Sequence, residues 1–290
     1  MLVRRYLHLC LFFFVGISAA IFVQRVEAQE APPVSAARTL LLPRRIVSGE
    51  RATLAVLDVN GRLTPGVTVN FSNGDKFKTD ATGRAMFVAP LDPGVIFGSI
   101  PGRPGKVPTV ILTPTEAAAT AMEVEAAPRV AMLTDRVEIA GKGFCGDADA
   151  NQVTMGGAPA LVVASSPAAL IAVPPAEIAA GQAEVRVSCG KQAAQPFSIT
   201  FVTLELQADS SPLGPGTHRT LSVRVSGTSG KVMLEARNLA PDIATLSGGN
   251  PARQASSGGA ENVGRFELVG KQKGSFLISI RLAPTLGRPK

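Results

Sequence analysis

The stretch Val137-Glu138-Ile139-Ala140-Gly141-Lys142-Gly143-Phe144, followed by Asn151-Gln152-Val153-Thr154-Met155-Gly156-Gly157-Ala158-Pro159-Ala160, decides the fold of this chain. In each run apolar side chains recur at every second position, the period of a strand with one face on a core. Each run then meets glycine, which admits the positive backbone angles of a tight turn. The same pattern continues outward. Further strands are expected at 161–164, 170–173, 183–188 and 197–201, then at 219–225, 231–236, 265–269 and 275–282. Upstream they are expected at 53–57, 67–71 and 84–88, with Asn60-Gly61, Asn73-Gly74 and Thr82-Gly83 as turns. Short strands spaced in this way by glycine and proline are the pattern of β-sandwiches. Composition agrees: of 290 residues 46% are hydrophobic and only 18% charged, with 29 Gly and 22 Pro. That excludes a coiled coil and a highly charged disordered chain. The expectation is an all-β chain of tandem sandwiches after an N-terminal signal helix.

The first residues read as a targeting segment. Arg4 and Arg5 precede an apolar run from Leu9 to Val23, and Val26-Glu27-Ala28 places small residues at a cleavage site. This is the three-part secretory signal, and it predicts cleavage between Ala28 and Gln29. An uncleaved anchor is the alternative, but a span needs about 20 apolar residues and the run is shorter. The chain is therefore expected to be secreted, periplasmic or on the cell surface, with no membrane span after cleavage. Formal charge is +7 and divides unevenly along the chain. Residues 38–113 carry ten basic and five acidic groups, 123–201 five and eight, and 202–290 eleven and six. Without a Lys/Arg cluster longer than Arg44-Arg45, this reads as solubility and excludes nucleic acid as a partner.

Residues 38–113 are expected to form a first sandwich, 114–128 a linker with one or two helical turns at most, 129–201 a second sandwich, 202–283 a third, and 284–290 a flexible tail. Asn250 to Asn262, around Ser256-Ser257-Gly258-Gly259, reads as a long mobile loop. In the first unit Pro65-Gly66-Val67-Thr68-Val69, Thr79-Asp80-Ala81-Thr82-Gly83-Arg84-Ala85-Met86-Phe87 and Leu91-Asp92-Pro93-Gly94 follow in order. This unit resembles bacterial Ig-like and carboxypeptidase-regulatory-like modules. The second unit, through the stretch quoted above and then Leu170-Ile171-Ala172-Val173-Pro174 and Gly181-Gln182-Ala183-Glu184-Val185-Arg186-Val187, resembles an IPT/TIG domain. That resemblance implies an Ig-like fold and a surface or scaffolding habit, and contributes no catalytic residue. The third unit has strands without a recognisable motif; an Ig-like sandwich is expected there by analogy with its neighbours.

Chemistry-bearing residues are scarce. Cys145 and Cys189 lie 44 positions apart in the second unit, and an even pair within one domain of an exported chain points to a disulfide. Free thiols or a metal site are the alternatives; zinc would need two further ligands. Asp147, Asp149 and Asn151 alternate like the first half of a calcium loop. The slots for the turn glycine and the closing glutamate hold Gln152 and Ala158, so a polar turn before a strand is the expected role. His218, in Pro215-Gly216-Thr217-His218-Arg219, is expected to be an exposed loop residue, for want of an oriented partner and a nucleophile. Pro101-Gly102-Arg103-Pro104-Gly105 is a turn and not a phosphate cradle, because proline lacks the backbone N–H such a cradle uses.

Together these features predict a non-catalytic exported Ig-like protein that binds or scaffolds protein or envelope polymer, without cofactor or metal. A carbohydrate-binding accessory module is the runner-up, although the residues after position 28 contain no Trp or Tyr for stacking. A hydrolase would have to place its site in the third unit, with His218 beside Asp209 or Asp242.

Overall fold

Residues 39–112 form β1 (Thr39–Leu41), β2 (Arg45–Val47), β3 (Arg51–Leu57), β4 (Thr68–Phe71), β5 (Lys76–Lys78), β6 (Arg84–Val88), β7 (Gly94–Ser99) and β8 (Val107–Leu112). The structure is a computed structural model that describes residues 38–119, 121–207, 211–283 and 286–287. The signal-segment expectation, cleavage between Ala28 and Gln29 included, lies outside the described residues. One sheet has β3 between β6 and β1, all antiparallel; the facing sheet runs β2-β8-β7-β4-β5, with β2 joining β8 in parallel. Val67, Val69, Phe71 and Phe87 point into the core as their alternation predicts, beside Leu54, Val56, Ile96 and Ile111. The rings of Phe71, Phe77 and Phe87 pack with centroids 5.1–5.4 Å apart. The hairpin before β6 is fixed by Asp80, whose side chain accepts from the Thr82 backbone N–H at 2.8 Å. Gly83 holds a φ of +76° there, and a Cβ would stand 2.5 Å from the Thr64 nitrogen. Only glycine fits that turn.

The linker opens with one helical turn, α1 (Pro114–Ala117), closed by a capping box between Thr113 and Glu116. Its last residues instead belong to a sheet, as β9 (Glu123–Pro128). The second sandwich continues with β10 (Val130–Met132), β11 (Val137–Lys142), β12 (Asn151–Met155), β13 (Ala158–Ser166), β14 (Ala169–Val173), β15 (Gly181–Cys189), β16 (Gln192–Ala193) and β17 (Phe197–Gln207). Strand β13 serves both sheets: residues 158–160 pair with β12, and residues 161–166 pair with β14 across a bulge at Val163. Val137, Ile139, Val153, Met155, Val185, Ile199 and Phe201 fill the core between the sheets.

Strand β17 does not stop at the end of this sandwich. Residues 197–201 pair with β15, and residues 203–207 pair with β18 (His218–Ser226) of the third sandwich. Successive strand residues face opposite sides. Phe201 therefore enters the second core while Val202 enters the third, and both are fully buried. Strand β10 repeats the division beside it, Ala131 facing the second core and Val130 and Met132 the third. The third sandwich adds β19 (Met233–Asn238), β20 (Ala244–Leu246), β21 (Ala252–Ala255), β22 (Val263–Gly270) and β23 (Ile278–Leu282). Its sheets are β20-β22-β18-β17 and β21-β19-β23. The region 250–262, expected as a mobile loop, contains β21 and the buried Ser256 and Asn262. Ser256 bonds the Val232 N–H at 2.9 Å, and Asn262 donates to the carbonyls of Thr228 and Gly230. These buried side chains supply the backbone partners that a polar composition alone does not reveal. Within the expected tail, β24 (Leu286–Gly287) pairs antiparallel with β9.

Candidate functional site: the junction built on the cystine loop

The polar residues between β11 and β12 are where the sequence concentrated its candidate chemistry, and the structure turns them into a joint. Cys145 and Cys189 are bonded, with Cα atoms 6.0 Å apart, inside the ordinary range for a bridge. Strand β15 brings Cys189 opposite Asn151 in register, and Asn151 in turn grips the loop that carries Cys145. Its side-chain oxygen accepts from the Cys145 N–H at 2.9 Å. Its amide nitrogen donates to the Cys145 and Asp147 carbonyls and to Ser165 Oγ. Asp147 caps the single 3-10 turn at 148–150 by accepting from the Asp149 N–H at 3.0 Å. Each polar side chain of the D-x-D-x-N stretch is thus committed to folding the turn or to a neighbour. The stretch forms a capped polar turn before β12.

The neighbour is the first sandwich. Thr53 on β3 donates to the Gly146 carbonyl at 2.8 Å and accepts from the Ala148 N–H at 3.3 Å. Gly146 lies so close to β3 that a Cβ would stand 1.9 Å from the Arg51 carbonyl oxygen. Arg84 on β6 reaches across with its side chain only 9% exposed. It donates to Asp149 at 2.5 Å and to the Val162 carbonyl at 2.8 Å, while its Nε has no partner among the described residues. Beside these bonds a separate apolar cluster spans the junction: Leu41, Ala55 and Leu57 from the first sandwich against Val163, Ala164 and Ile171 from the second. Ser165 and Thr53 bridge β13 to β3, so the sheet itself continues across.

Charge follows the same line. Arg44 pairs with Glu138 at 2.9 Å, Arg45 with Glu125 at 3.0 Å, and Arg84 with Asp149, each cation from the basic unit and each carboxylate from the acidic one. Part of the uneven charge therefore serves complementarity within the chain, and not only solubility as the sequence suggested. Burial pushes the Glu138 carboxyl up from its ordinary range, against the pull of Arg44. Asp135 is raised by burial too, with Arg136 and Arg281 of β23 pulling the other way.

His218, the remaining candidate, stands at the start of β18 and is exposed. Its Nδ1 lies 2.8 Å from Glu267, whose other oxygen accepts from Ser247 at 3.2 Å. Histidine and serine hold separate oxygens of one carboxylate, so this contact makes no nucleophile–base pair. Bonds from His218 and then Ser247 keep the Glu267 carboxyl below its ordinary range. Asp242 is exposed on a turn, and Asp209 lies outside the described residues. Sequence reasoning missed a different carboxylate: Glu235 on β19 is 2% exposed beneath Arg253 of β21 and Arg281 of β23. Bonds from Arg281 first and Arg253 second hold its carboxyl low. Only the cross-strand register joins these three residues, and no local pattern signals it.

Residues 133–203 match the IPT/TIG domain family, so the second sandwich is an IPT/TIG domain. No curated relative matches the chain by sequence. Among solved structures, the chain is similar to SGBP-B of the Bacteroides ovatus mixed-linkage glucan utilization locus, solved with a mixed-linkage heptasaccharide. Identity is 13% over 82% of this chain and 71% of that one, with a TM-score of 0.35. The Plexin A4 extracellular region follows at 10% identity over 85% of this chain and 32% of that one, TM-score 0.32. The S-layer protein SbsC follows at 15% over 89% and 40%, TM-score 0.21. Among the described residues no helix is long and apolar enough to cross a membrane.

Proposed function

We propose that this chain is an exported, non-catalytic adapter that binds or spaces protein or polymer components of the cell envelope or its surroundings. In this reading a signal segment is cut between Ala28 and Gln29, and units at 38–113, 129–201 and 202–283 follow. The observation that carries it is the way the units are joined. Domains in one chain move freely unless their interface is large and apolar. Here one junction has its own apolar cluster and a buried arginine, and the other shares strand β17. A body joined in this way holds its surfaces at fixed spacing, which suits a spacer or adapter. The IPT/TIG match supports a binding habit, and the surface pairing of His218 with Glu267 supports a structural role for that histidine.

The test uses the full chain expressed in its own host, fractionated and analysed by mass spectrometry, with crosslinked partners identified from intact cells. Export, an N-terminus at Gln29 and reproducible envelope partners are expected. A cytoplasmic chain that retains residues 1–28 would overturn the reading. So would turnover on a hydrolase panel that disappears in His218→Ala.

A further inference from the structure

The Pro101-Gly102-Arg103-Pro104-Gly105 turn, unsuited to a backbone phosphate cradle, places side chains where its backbone offers little. It closes between β7 and β8 with the Arg103 N–H donating to the Ile100 carbonyl at 3.2 Å. The groove beneath it, about 220 Å³ in volume, is lined by Arg38, Arg103 and Lys106 together with Thr39 and Ser99, and among the described residues by no carboxylate. Three cations thus line one groove with no counter-charge among its described lining residues. Arg103 adds a second observation: its Nη1 is shut off from solvent and has no hydrogen-bond partner among the described residues. A buried donor of this kind calls for an acceptor. Gly102 and Gly105 meanwhile leave the rim open, since a Cβ at either would meet nothing within 4 Å.

We propose that Arg38, Arg103 and Lys106 form a binding site for a tetrahedral oxyanion, a phosphate or sulfate group. A guanidinium presents paired N–H donors matched to such a group, and lysine adds a point charge. Among the described residues the groove lining holds no thiol, carboxylate or histidine, so the proposal is for binding alone. The group could arrive as the free inorganic anion or as an ester on an anionic polymer. This site stands apart from the adapter reading and survives its failure.

Isothermal titration of the full exported chain with inorganic phosphate, inorganic sulfate, dextran sulfate and neutral dextran tests it. Saturable one-site binding of an inorganic oxyanion is expected, and neutral dextran should give none. Arg103→Gln should weaken binding at least tenfold, whereas Lys231→Gln, an equal charge loss on the third sandwich, should leave it within twofold. Tighter binding of dextran sulfate, displaced by inorganic sulfate, assigns the site to an ester on a polymer. Dextran sulfate binding no tighter than the inorganic anion assigns it to the free ion. If Arg103→Gln lowers the melting temperature, the Arg38→Gln/Lys106→Gln double variant carries the same comparison. Absence of saturable binding, or equal weakening by Arg103→Gln and Lys231→Gln, overturns the site.

Discussion

Replacing Arg84 by methionine tests the junction between the first two sandwiches most directly. Methionine keeps much of the buried stem while deleting the charge and every donor. Two contributions disappear and one defect is relieved. The bond to the Val162 carbonyl is charge-assisted and shielded from water, and its loss costs on the order of 1.5–3 kcal/mol. The ion pair with Asp149 contributes less than about 1 kcal/mol, because that carboxylate is 72% exposed and screened by solvent. Against this, methionine removes the orphaned Nε, recovering on the order of 1 kcal/mol. The net loss is roughly 2 kcal/mol, which corresponds to a fall of about 4–8 °C in melting temperature for a body of this size. The Ala148 amide, bonded across the junction to Thr53, reports the joint itself. A 2 kcal/mol weakening of its opening accelerates its hydrogen exchange roughly 30-fold. Asp149→Ala should change the same amide less than about fivefold. Equal effects of the two variants, or unchanged exchange in Arg84→Met, would refute the assignment of Arg84 as the pin.

Three further outcomes are expected. The Cys145→Ala/Cys189→Ala double variant should lose up to about 4 kcal/mol, the loop-entropy value for a closed loop of this length. Calorimetry measures the loss, and two thiols titrating in native, unreduced protein would reject the bridge. Gly146→Ala should lower the melting temperature at least as much as Arg84→Met, because its Cβ would collide with the backbone oxygen of Arg51 and not with a side chain that can swing away. The carboxylates Glu235 and Glu138 should respond to pH with opposite signs. Glu235 has a depressed folded pKa, so its stabilisation is present above the ordinary carboxylate pKa and is lost as pH falls through the folded value. Glu235→Gln should then destabilise at neutral pH and matter little at low pH. Glu138 is raised, so its protonated form is the stabilising one, and that stability is lost as pH rises through the folded value. Glu138→Gln should stabilise slightly at neutral pH. Denaturant midpoints between pH 7 and pH 2 decide both, and a change of the same sign for the two variants at pH 7 would contradict the assignment.

The fold class and most of the strands in the second sandwich follow from local sequence, because period-two alternation and glycine turns are properties of neighbouring residues. Val137, Ile139, Val153 and Met155 could be assigned to a core without knowing what they packed against. Residues 250–262 were misread for the same reason: a polar segment looks mobile until its Ser256 and Asn262 find buried partners dozens of positions away. The short strands β1, β2, β5 and β20, three residues each with weak alternation or none, also escaped. Their pairing partners, and not their own pattern, make them strands. Asp147, Asp149 and Asn151 were legible as a turn, yet nothing local indicated that the turn would receive Thr53 and Arg84. Nor did alternation distinguish Phe201 from Val202, two adjacent apolar residues that serve two different cores. Sequence sets the face and period of each strand through steric and solvation preferences that act over a few residues. Which sandwich docks on which, and where the charges meet, depends on contacts between residues far apart in sequence, such as Ser166 and Arg45 at a separation of 121 positions, and only the folded chain brings these together.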